Sequence, residues 1–378
     1  MIERPITILH VLPKLDTGGA ERVVIEISEA IHATGHKVLI ACAGGPLSAV
    51  ARRAGAEIIE MPLDTKSPFK MRRNAKRLKK LIAERDVQLV HAHSRAPAWS
   101  AWWATQATGT PFVTTYHGSY GEKSVLKRRY NSVMAKGDRV IAVSDFIAGL
   151  IRTRYGTAEE KLRVIHGGVN LGKFDPGTMV AEVLYRVARN WAVDLVEPVI
   201  LLPGRLTSWK GQKILIQALA RMKHRDAVAI FVGSAQGRLD YVGELVALAE
   251  RLGVEQRVRL VGHTEDIPAA MMLADVVVNA STAPEAFGRT IVEAQAMGRI
   301  VVATDHGGAS ETIIAGETGF LVPPGDPAAL AAILDAALDM PADDRVLWGQ
   351  RARAHVADHY SVAAMQNAVL DVYAELLT

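Results

Sequence analysis

The chain reads as two Rossmann-like α/β domains, each a parallel sheet with helices on both faces. Three observations predict this. Short β-branched runs alternate with stretches of helical spacing over most of the 378 residues, which is the pattern of βαβ units and not of hairpins. The alternation comes in two series, separated by a segment at 171–197 that opens with FDPG and continues with helical periodicity. Several strand ends run into loops that carry glycine beside His, Arg, Lys or Glu, and parallel sheets bind ligands at the carboxyl ends of their strands.

In the first series, strands are predicted at 6–13, 37–43, 57–62, 87–93, 111–118, 139–144 and 162–169. The opening run ITILHVLP leads into KLDTGGAER, where Gly18 and Gly19 permit a tight loop before a helix over 21–31. A glycine pair there lets a ligand approach the backbone; on these residues alone a plain βα turn serves equally well. The second series places strands at 199–204, 227–234, 257–263, 275–281, 300–305 and 319–323. The expected division is an N-terminal domain over 1–170, a linker and connecting helix over 171–197, a C-terminal domain over 198–358, and a final helix within 359–378. Two such domains facing one another would set their strand ends across a cleft.

Composition fits a globular protein with room for about two domain-sized cores, at 49% hydrophobic and 22% charged residues. No apolar run reaches the roughly 18 residues that a membrane span needs. The opening MIERPITILHVLP lacks the basic, apolar, small-residue order of a secretion signal, so a cytoplasmic location is expected. The single cysteine, Cys42, lies in the apolar run KVLIACAGG and is expected in the core, with no internal disulfide.

The stretch APEAFGRTIVEAQAMG at 283–298 stands between two predicted strands. Glu285 falls at the mouth of the first, and Glu293 lies within the helix that follows, pointing back toward the same crevice. The start of that helix offers free N–H groups and a positive dipole end, which suit a phosphate. Carboxylates on either side of an anion site make sense if hydroxyl-rich groups flank the phosphate; two surface charges near a helix start are the plainer alternative. Directly after the first strand of the second series comes LPGRLTSWKGQK. Arg205 supplies a planar fork and Lys210 a point charge, together suited to a diphosphate whose leaving charge needs stabilising. A solvated pair on a loop is the alternative there. His117, in TYHGSY, ends a strand of the first series, as do AVSDF at 142–146 and HGGVN at 166–170. No D-x-D and no close His/Cys cluster occurs along the chain, so no metal and no cofactor are expected.

The E-x7-E spacing of Glu285 and Glu293 resembles the signature of the retaining GT-B glycosyltransferases of family 4. The G-R-x4-K-G loop about 80 residues before it resembles that family's phosphate-binding loop. The resemblance covers nearly the whole chain. It implies that Glu285 faces the donor sugar, that Glu293 holds the nucleotide ribose, and that His117 meets the sugar and its phosphate from the other domain. It also implies that Gly18 and Gly19 lie near the donor diphosphate or the acceptor, and that Gly233, His263 and Thr264 belong to the base pocket. The backbone of Phe287, Gly288, Arg289 and Thr290 would face the sugar and phosphates. HGGVN is similar to the family's N-G-V-D element, with Asn170 where an Asp is usual and Gly167 where an Asn is usual. DHGGASE at 305–311 is similar to a later glycine-rich turn. The implied chemistry is metal-independent, with the acceptor hydroxyl attacking from the face that the diphosphate leaves. The C-terminal helix would return to the first domain, as in other GT-B proteins.

Residues 66–85 hold nine Lys or Arg against one Glu. Met71, Ala75, Leu78 and Ile82 keep helical spacing, so one side packs and Lys70, Arg72, Arg73, Lys76, Arg77, Lys79 and Lys80 stay outside. The stretch 123–139 adds Lys127, Arg128, Arg129 and Lys136. A solvated face, a nucleic-acid patch and a surface for anionic lipid are the readings; no recognition motif supports nucleic acid. The run HSRAPAWSAWW, with TYHGSYGEK, RLTSWKGQ and NASTAPEAFGRT, looks like family 4 enzymes that build lipopolysaccharide core in α-proteobacteria, some of them mannosyltransferases. That resemblance makes His93, Ser94 and Arg95 candidates for the acceptor side, with at least two of Trp99, Trp102 and Trp103 expected in the core.

The expected protein is therefore a retaining hexosyltransferase, with a GDP- or UDP-linked sugar as donor and mannose as the first guess. Its acceptor would be a lipid-linked saccharide such as lipopolysaccharide core, and its place the inner face of the cytoplasmic membrane. A two-domain sugar-binding protein would be expected to carry an export signal. A GT-B epimerase or phosphorylase fits the paired motifs less well. A dinucleotide dehydrogenase would need G-x-G-x-x-G after the first strand, which KLDTGGAER does not supply.

Overall fold

The computed structural model describes residues 5–122, 124–194 and 196–377. The first residues of the N-terminal reading, 1–4, lie outside these, as do Lys123 at the head of the second basic stretch, Leu195 in the expected linker, and residue 378. Seven strands form the first sheet: β1 (Thr7–Val11), β2 (Lys37–Cys42), β3 (Ala56–Glu60), β4 (Val87–Ala92), β5 (Phe112–Tyr116), β6 (Arg139–Ala142) and β7 (Leu162–Val164). Six form the second: β8 (Val199–Pro203), β9 (Val228–Val232), β10 (Val258–Gly262), β11 (Val276–Asn279), β12 (Ile300–Thr304) and β13 (Phe320–Val322). Every pairing is parallel.

The spatial orders are β3-β2-β1-β4-β5-β6-β7 and β10-β9-β8-β11-β12-β13. In each sheet the order reverses beside its first strand, between β1 and β4 and between β8 and β11. Connections leave those two strands toward opposite sides, so a crevice opens at their carboxyl ends. Strands covered on both faces read as unbroken apolar runs, and β8 (VILLP), β11 (VVVN) and β12 (IVVAT) are buried at every position. The edge strand β10 (VRLVG) is half-exposed throughout. Separate apolar cores support the two sheets, one around Ile8, Ile40, Leu89 and Ile27, the other around Ile200, Leu202, Phe231 and Val278. Cys42 is buried in the first, and burial pushes its thiol pKa up, so it behaves as a small apolar residue.

All thirteen predicted strands are shorter in the structure than the sequence suggested, and two of them show why. At 162–169 the sheet ends at Val164, because the chain turns away through Gly167 and Gly168, and the Val169 N–H instead donates to the Tyr360 carbonyl. At 319–323 only Phe320–Val322 pairs; the Gly319 carbonyl closes a turn with the Gly316 N–H, and Pro323 has no N–H to give a ladder.

The chain divides into two compact units, one made of the residues up to Gly168 together with those from Val362, the other of Val169–Ser361. The segment read as a linker packs on the second unit. Its helix, Ala181–Asn190, buries Val187 and Ala188 and lies against the helix Ile267–Leu273, with Arg186 paired to Asp266 at 3.2 Å. The last helix, Val362–Leu377, belongs to the first unit. It buries Met365, Val369, Val372 and Tyr373, and Gln366 donates to the Glu26 carbonyl at 2.6 Å.

Glu375 of this helix accepts from Arg139 and Arg163, each at 2.6 Å, and these bonds, Arg163 first, hold its carboxyl down from 4.5 to about 2. A folded-state pKa below the unfolded one gives stability that is complete above 4.5 and disappears as pH falls toward 2. Because the carboxylate is a third exposed, Glu375→Gln should cost only about 1 kcal/mol at neutral pH. In urea titrations the variant and the wild type should converge as the pH falls through that window.

Candidate active site

In the second unit the reversal of strand order brings two loops together. The first leaves β8 as Gly204, Arg205 and Leu206, then makes a short turn over Ser208–Lys210 before the helix Gln212–Leu219. The second leaves β11 through Ala280 and Ser281 to Glu285, then turns at Gly288 into the helix Arg289–Ala296. Glycine is required where they touch. Gly211 has φ +76°, and a Cβ on it would lie 1.8 Å from the Ala280 carbonyl oxygen. A Cβ on Gly233, at the end of β9, would lie 2.0 Å from the Gly204 carbonyl oxygen. The Thr282 N–H donates to the Trp209 carbonyl at 2.7 Å and ties the loops together.

Glu285 is the node of this site. Its Oε1 accepts from Lys210 Nζ at 2.8 Å, from Asn279 Nδ2 at 2.9 Å and from Ser281 Oγ at 2.5 Å. Its main chain pairs with Gly307, and the Gly308 N–H donates to its carbonyl. Burial alone would raise the carboxyl pKa, but the Lys210 charge and the three donors outweigh it and leave the group below its ordinary value. Glu285 is therefore a carboxylate at neutral pH. Among the described residues nothing donates to Oε2, and Lys210 has two further N–H donors. Both side chains are only slightly exposed, 12% for Glu285 and 13% for Lys210.

Arg205 stands at the same loop but differs from Lys210. Its side chain is exposed, and its guanidinium makes no bond to another described residue; only its carbonyl is engaged, by Gln212 Nε2 at 3.0 Å. Glu293 lies one helical turn beyond Arg289, whose Nε donates to its Oε1 at 3.2 Å. Gly288, at φ +87°, precedes the helix, and Thr290 in its first turn is half-buried. Phe287 turns inward, its ring 5.9 Å from that of Tyr360, so only its backbone is placed for a ligand. His263 is exposed just after β10, and Thr264 Oγ1 accepts from the Asp266 N–H.

Sequence reading missed Asn279 and Ser281, which hold Glu285, and His306, whose Nε2 lies 2.8 Å from the Ser281 carbonyl. The signal was present in NAS, two polar residues ending an apolar strand. Asn170 sits in the second unit, and its Oδ1 accepts from the Lys173 N–H in a local turn.

In the first unit, Gly18 and Gly19 form an exposed start to the helix Gly19–Ala33. A pocket beside them is lined by Leu12, Glu21, His93, Ser94, His117 and Tyr120, among others. Arg95 reaches Asn131 Oδ1 at 2.9 Å and lies 4.1 Å over the Tyr120 ring. His93 is buried, with His10 on one side and His117 on the other. His10, His91 and His93 bring ring nitrogens within 4.8 Å of one another. The expectation that no close histidine cluster exists is thus corrected: distant strands assemble one.

The basic helix spans Pro68–Glu84 and buries Met71, Asn74, Ala75, Leu78 and Ile82. Lys70, Arg72, Arg73, Lys76, Arg77, Lys79 and Lys80 are all exposed, as is Phe69 at 84%. The helix Val125–Asn131 exposes Val125 at 83% and Leu126 at 80% beside Lys127, Arg128 and Arg129. None of the three tryptophans is a full core residue. Each is half-buried: Arg72 lies 5.7 Å over Trp103, Lys136 lies 4.7 Å over Trp102, and Trp99 donates to the Tyr130 carbonyl. No helix among the described residues is long and apolar enough to cross a membrane.

Two parallel-sheet units with these strand-end groups define a GT-B glycosyltransferase. The chain belongs to the glycosyltransferase family whose two halves are Glycosyltransferase Family 4, matched over residues 17–173, and Glycosyl transferases group 1, matched over residues 188–355. It is 30% identical to a D-inositol 3-phosphate glycosyltransferase of Xylanimonas cellulosilytica, over 95% of this chain and 92% of that one. Among solved structures it is similar to a glycosyltransferase from Rickettsia africae, with 37% identity, a TM-score of 0.92 and 99% of each chain covered. It is also similar to Alr3699/HepE of Anabaena, crystallised with UDP-glucose, with 27% identity, a TM-score of 0.84, and 98% of this chain and all of that one covered.

Proposed function

We propose that the protein transfers a hexose from a nucleotide sugar to a lipid-linked saccharide, with retention at the anomeric carbon and without a metal ion. The observation that carries the reading is the Glu285–Lys210 pair at the point where the second sheet reverses its strand order, with an exposed Arg205 beside it and a helix start above it. The carboxylate has its Oε2 left for the donor sugar, and near the anomeric carbon it stabilises positive charge and positions the ring. Lys210 and Arg205 take the departing diphosphate. As the bond from the anomeric carbon to the phosphate oxygen breaks, the acceptor oxygen bonds to that carbon from the same face. The acceptor proton passes to the leaving phosphate oxygen. Glu293 holds the ribose, His117 meets the donor, and Gly233, His263 and Thr264 border the base.

The exposed cations of the Pro68–Glu84 helix, with Phe69, Val125 and Leu126 among them, support docking on an anionic membrane surface, where a lipid-linked acceptor lies. We place the enzyme at the cytoplasmic face. Mannose is the first candidate sugar, from the lipopolysaccharide-core resemblance, while the UDP-glucose bound to the Anabaena relative favours a UDP-linked donor.

Calorimetric titration of UDP, GDP, ADP and their sugar conjugates decides between these donors. One nucleotide should bind well, and Glu293→Ala should weaken it 10- to 100-fold, the loss of charge-assisted bonds worth about 1.5–3 kcal/mol. If a folded wild type bound none of them, the donor assignment would fail.

A further inference from the structure

The reversal of strand order in the first sheet also places chemistry at its crevice, and that chemistry is a row of histidines. His10 of β1 pairs in register with His91 of β4. Just past the ends of β4 and β5 stand His93 and His117. His10 Nδ1 lies 2.9 Å from His93 Nε2, and His93 Nδ1 lies 3.0 Å from His117 Nε2. Three imidazoles thus form one hydrogen-bonded chain from the interior to the pocket that His117 lines. His91 stands beside it, its ring 4.0 Å from that of His93. Its Nδ1 contacts the Tyr373 hydroxyl and its Nε2 the Thr115 hydroxyl, each at 2.7 Å, so it packs against the chain without joining it.

The geometry is that of shared protons more than of a metal. Nitrogens bound tetrahedrally to zinc at 2.0–2.1 Å stand about 3.3 Å apart, and both nitrogens of His91 already have hydroxyl partners. Burial holds all three rings of the chain neutral at neutral pH: it takes His10 down to about 3 and His117 to about 4, and lowers His93 well below its ordinary value.

Three neutral rings carry three protons on six nitrogens. Each of the two ring-to-ring bonds takes one, so the third must sit at an end, on His10 Nε2 or on His117 Nδ1. The tautomers are therefore coupled, and every ring is Nε2–H or every ring is Nδ1–H. His10 Nε2 is buried and has no hydrogen-bond partner among the described residues. A proton there would be an orphaned buried donor, which folded proteins rarely hold.

We propose that His93 and His10 are positioning residues that keep the proton of His117 on Nδ1, so that His117 meets a pocket ligand as a hydrogen-bond donor. The ligand group is then an oxygen acceptor. The use of this donor in holding a glycosyl donor rests on the proposed function; the tautomer itself does not. Histidine free in water favours the Nε2–H form, so a chain of Nδ1–H rings is a signature that separate rings would not give.

The test is two-dimensional 15N–1H NMR of the ligand-free protein with 15N-labelled histidine, which distinguishes protonated from bare ring nitrogens. His10, His93 and His117 should all show Nδ1 protonated and Nε2 bare at pH 7. In His93→Phe, His117 should lose that pattern and return to Nε2–H. An Nε2–H form of His117 in the wild type would overturn the proposal, as would a His117 spectrum that His93→Phe leaves unchanged. One equivalent of a transition metal in elemental analysis of the purified protein would do the same. Should the variant fail to fold, the wild-type spectrum decides by itself. An Nδ1–H chain in a protein that binds no nucleotide would leave this proposal standing and sink the donor reading instead.

Discussion

Glu285→Gln should lower the rate of sugar transfer by a factor of about 10²–10³, the loss seen when one preorganised electrostatic group is removed from a transition state, while nucleotide affinity stays within a few-fold. The amide keeps the shape of the carboxyl and can still accept from Asn279 and Ser281, but it carries no charge to set against the anomeric carbon. It also leaves Lys210 without its counter-ion at a site where both side chains are nearly buried. Breaking a buried pair costs about 3 kcal/mol or more, so a lower melting temperature should accompany the loss of rate. Lys210→Met, by stranding the carboxylate, should destabilise comparably and also weaken binding of the diphosphate. Rate and affinity measured separately on folded Glu285→Gln check this. An unchanged rate would remove Glu285 from the chemistry; nucleotide binding lost in step with the rate would make it a donor-binding residue alone.

Replacing Lys70, Arg72, Arg73, Lys76, Arg77, Lys79 and Lys80 together by Gln should reduce binding to anionic vesicles by at least 10³-fold, since each cation near such a surface contributes about 1 kcal/mol. The fold should survive, because the helix is held by Met71, Asn74, Ala75, Leu78 and Ile82 on its other side. Binding of the wild type should weaken with added salt, as screening requires, and should be slight on vesicles of neutral lipid. Phe69→Ser should reduce it further on anionic vesicles by removing an exposed ring. Sedimentation with vesicles checks each point. Wild-type binding that is absent at low salt, or that neither salt nor the seven replacements alter, would count against the docking surface.

Strands and helices were legible because they rest on patterns local to the chain, short unbroken β-branched runs and the 3.6-residue spacing of apolar positions. The loops after β8 and β11 were legible for a related reason. Each ends a strand and keeps its charged residues within a short stretch, so Arg205, Lys210, Glu285 and Glu293 stand out in the sequence itself. Their partnership does not. Lys210 and Glu285 are 75 residues apart, and only the adjacency of β8 and β11 brings them to 2.8 Å.

Strand order decided the rest. His93 and His117 were read as separate strand-end candidates and His10 and His91 were not singled out, since a strand's own residues do not say which strand lies beside it. The order β1-β4-β5 brought His10 and His117 beside His91 and His93, and Tyr373, 282 residues from His91, joined them because the last helix packs on the first unit. The tryptophans show the same limit: at least two were expected in the core, and all three are half-buried, beside Arg72, Lys136 and the Tyr130 carbonyl. By itself the sequence determined the α/β class, the two series of strands, the cationic face and the charged strand-end loops, since these follow from local spacing and charge. The tertiary structure alone decided which of those groups touch, which are buried and which are charged, because burial and pairing depend on distances between residues far apart along the chain.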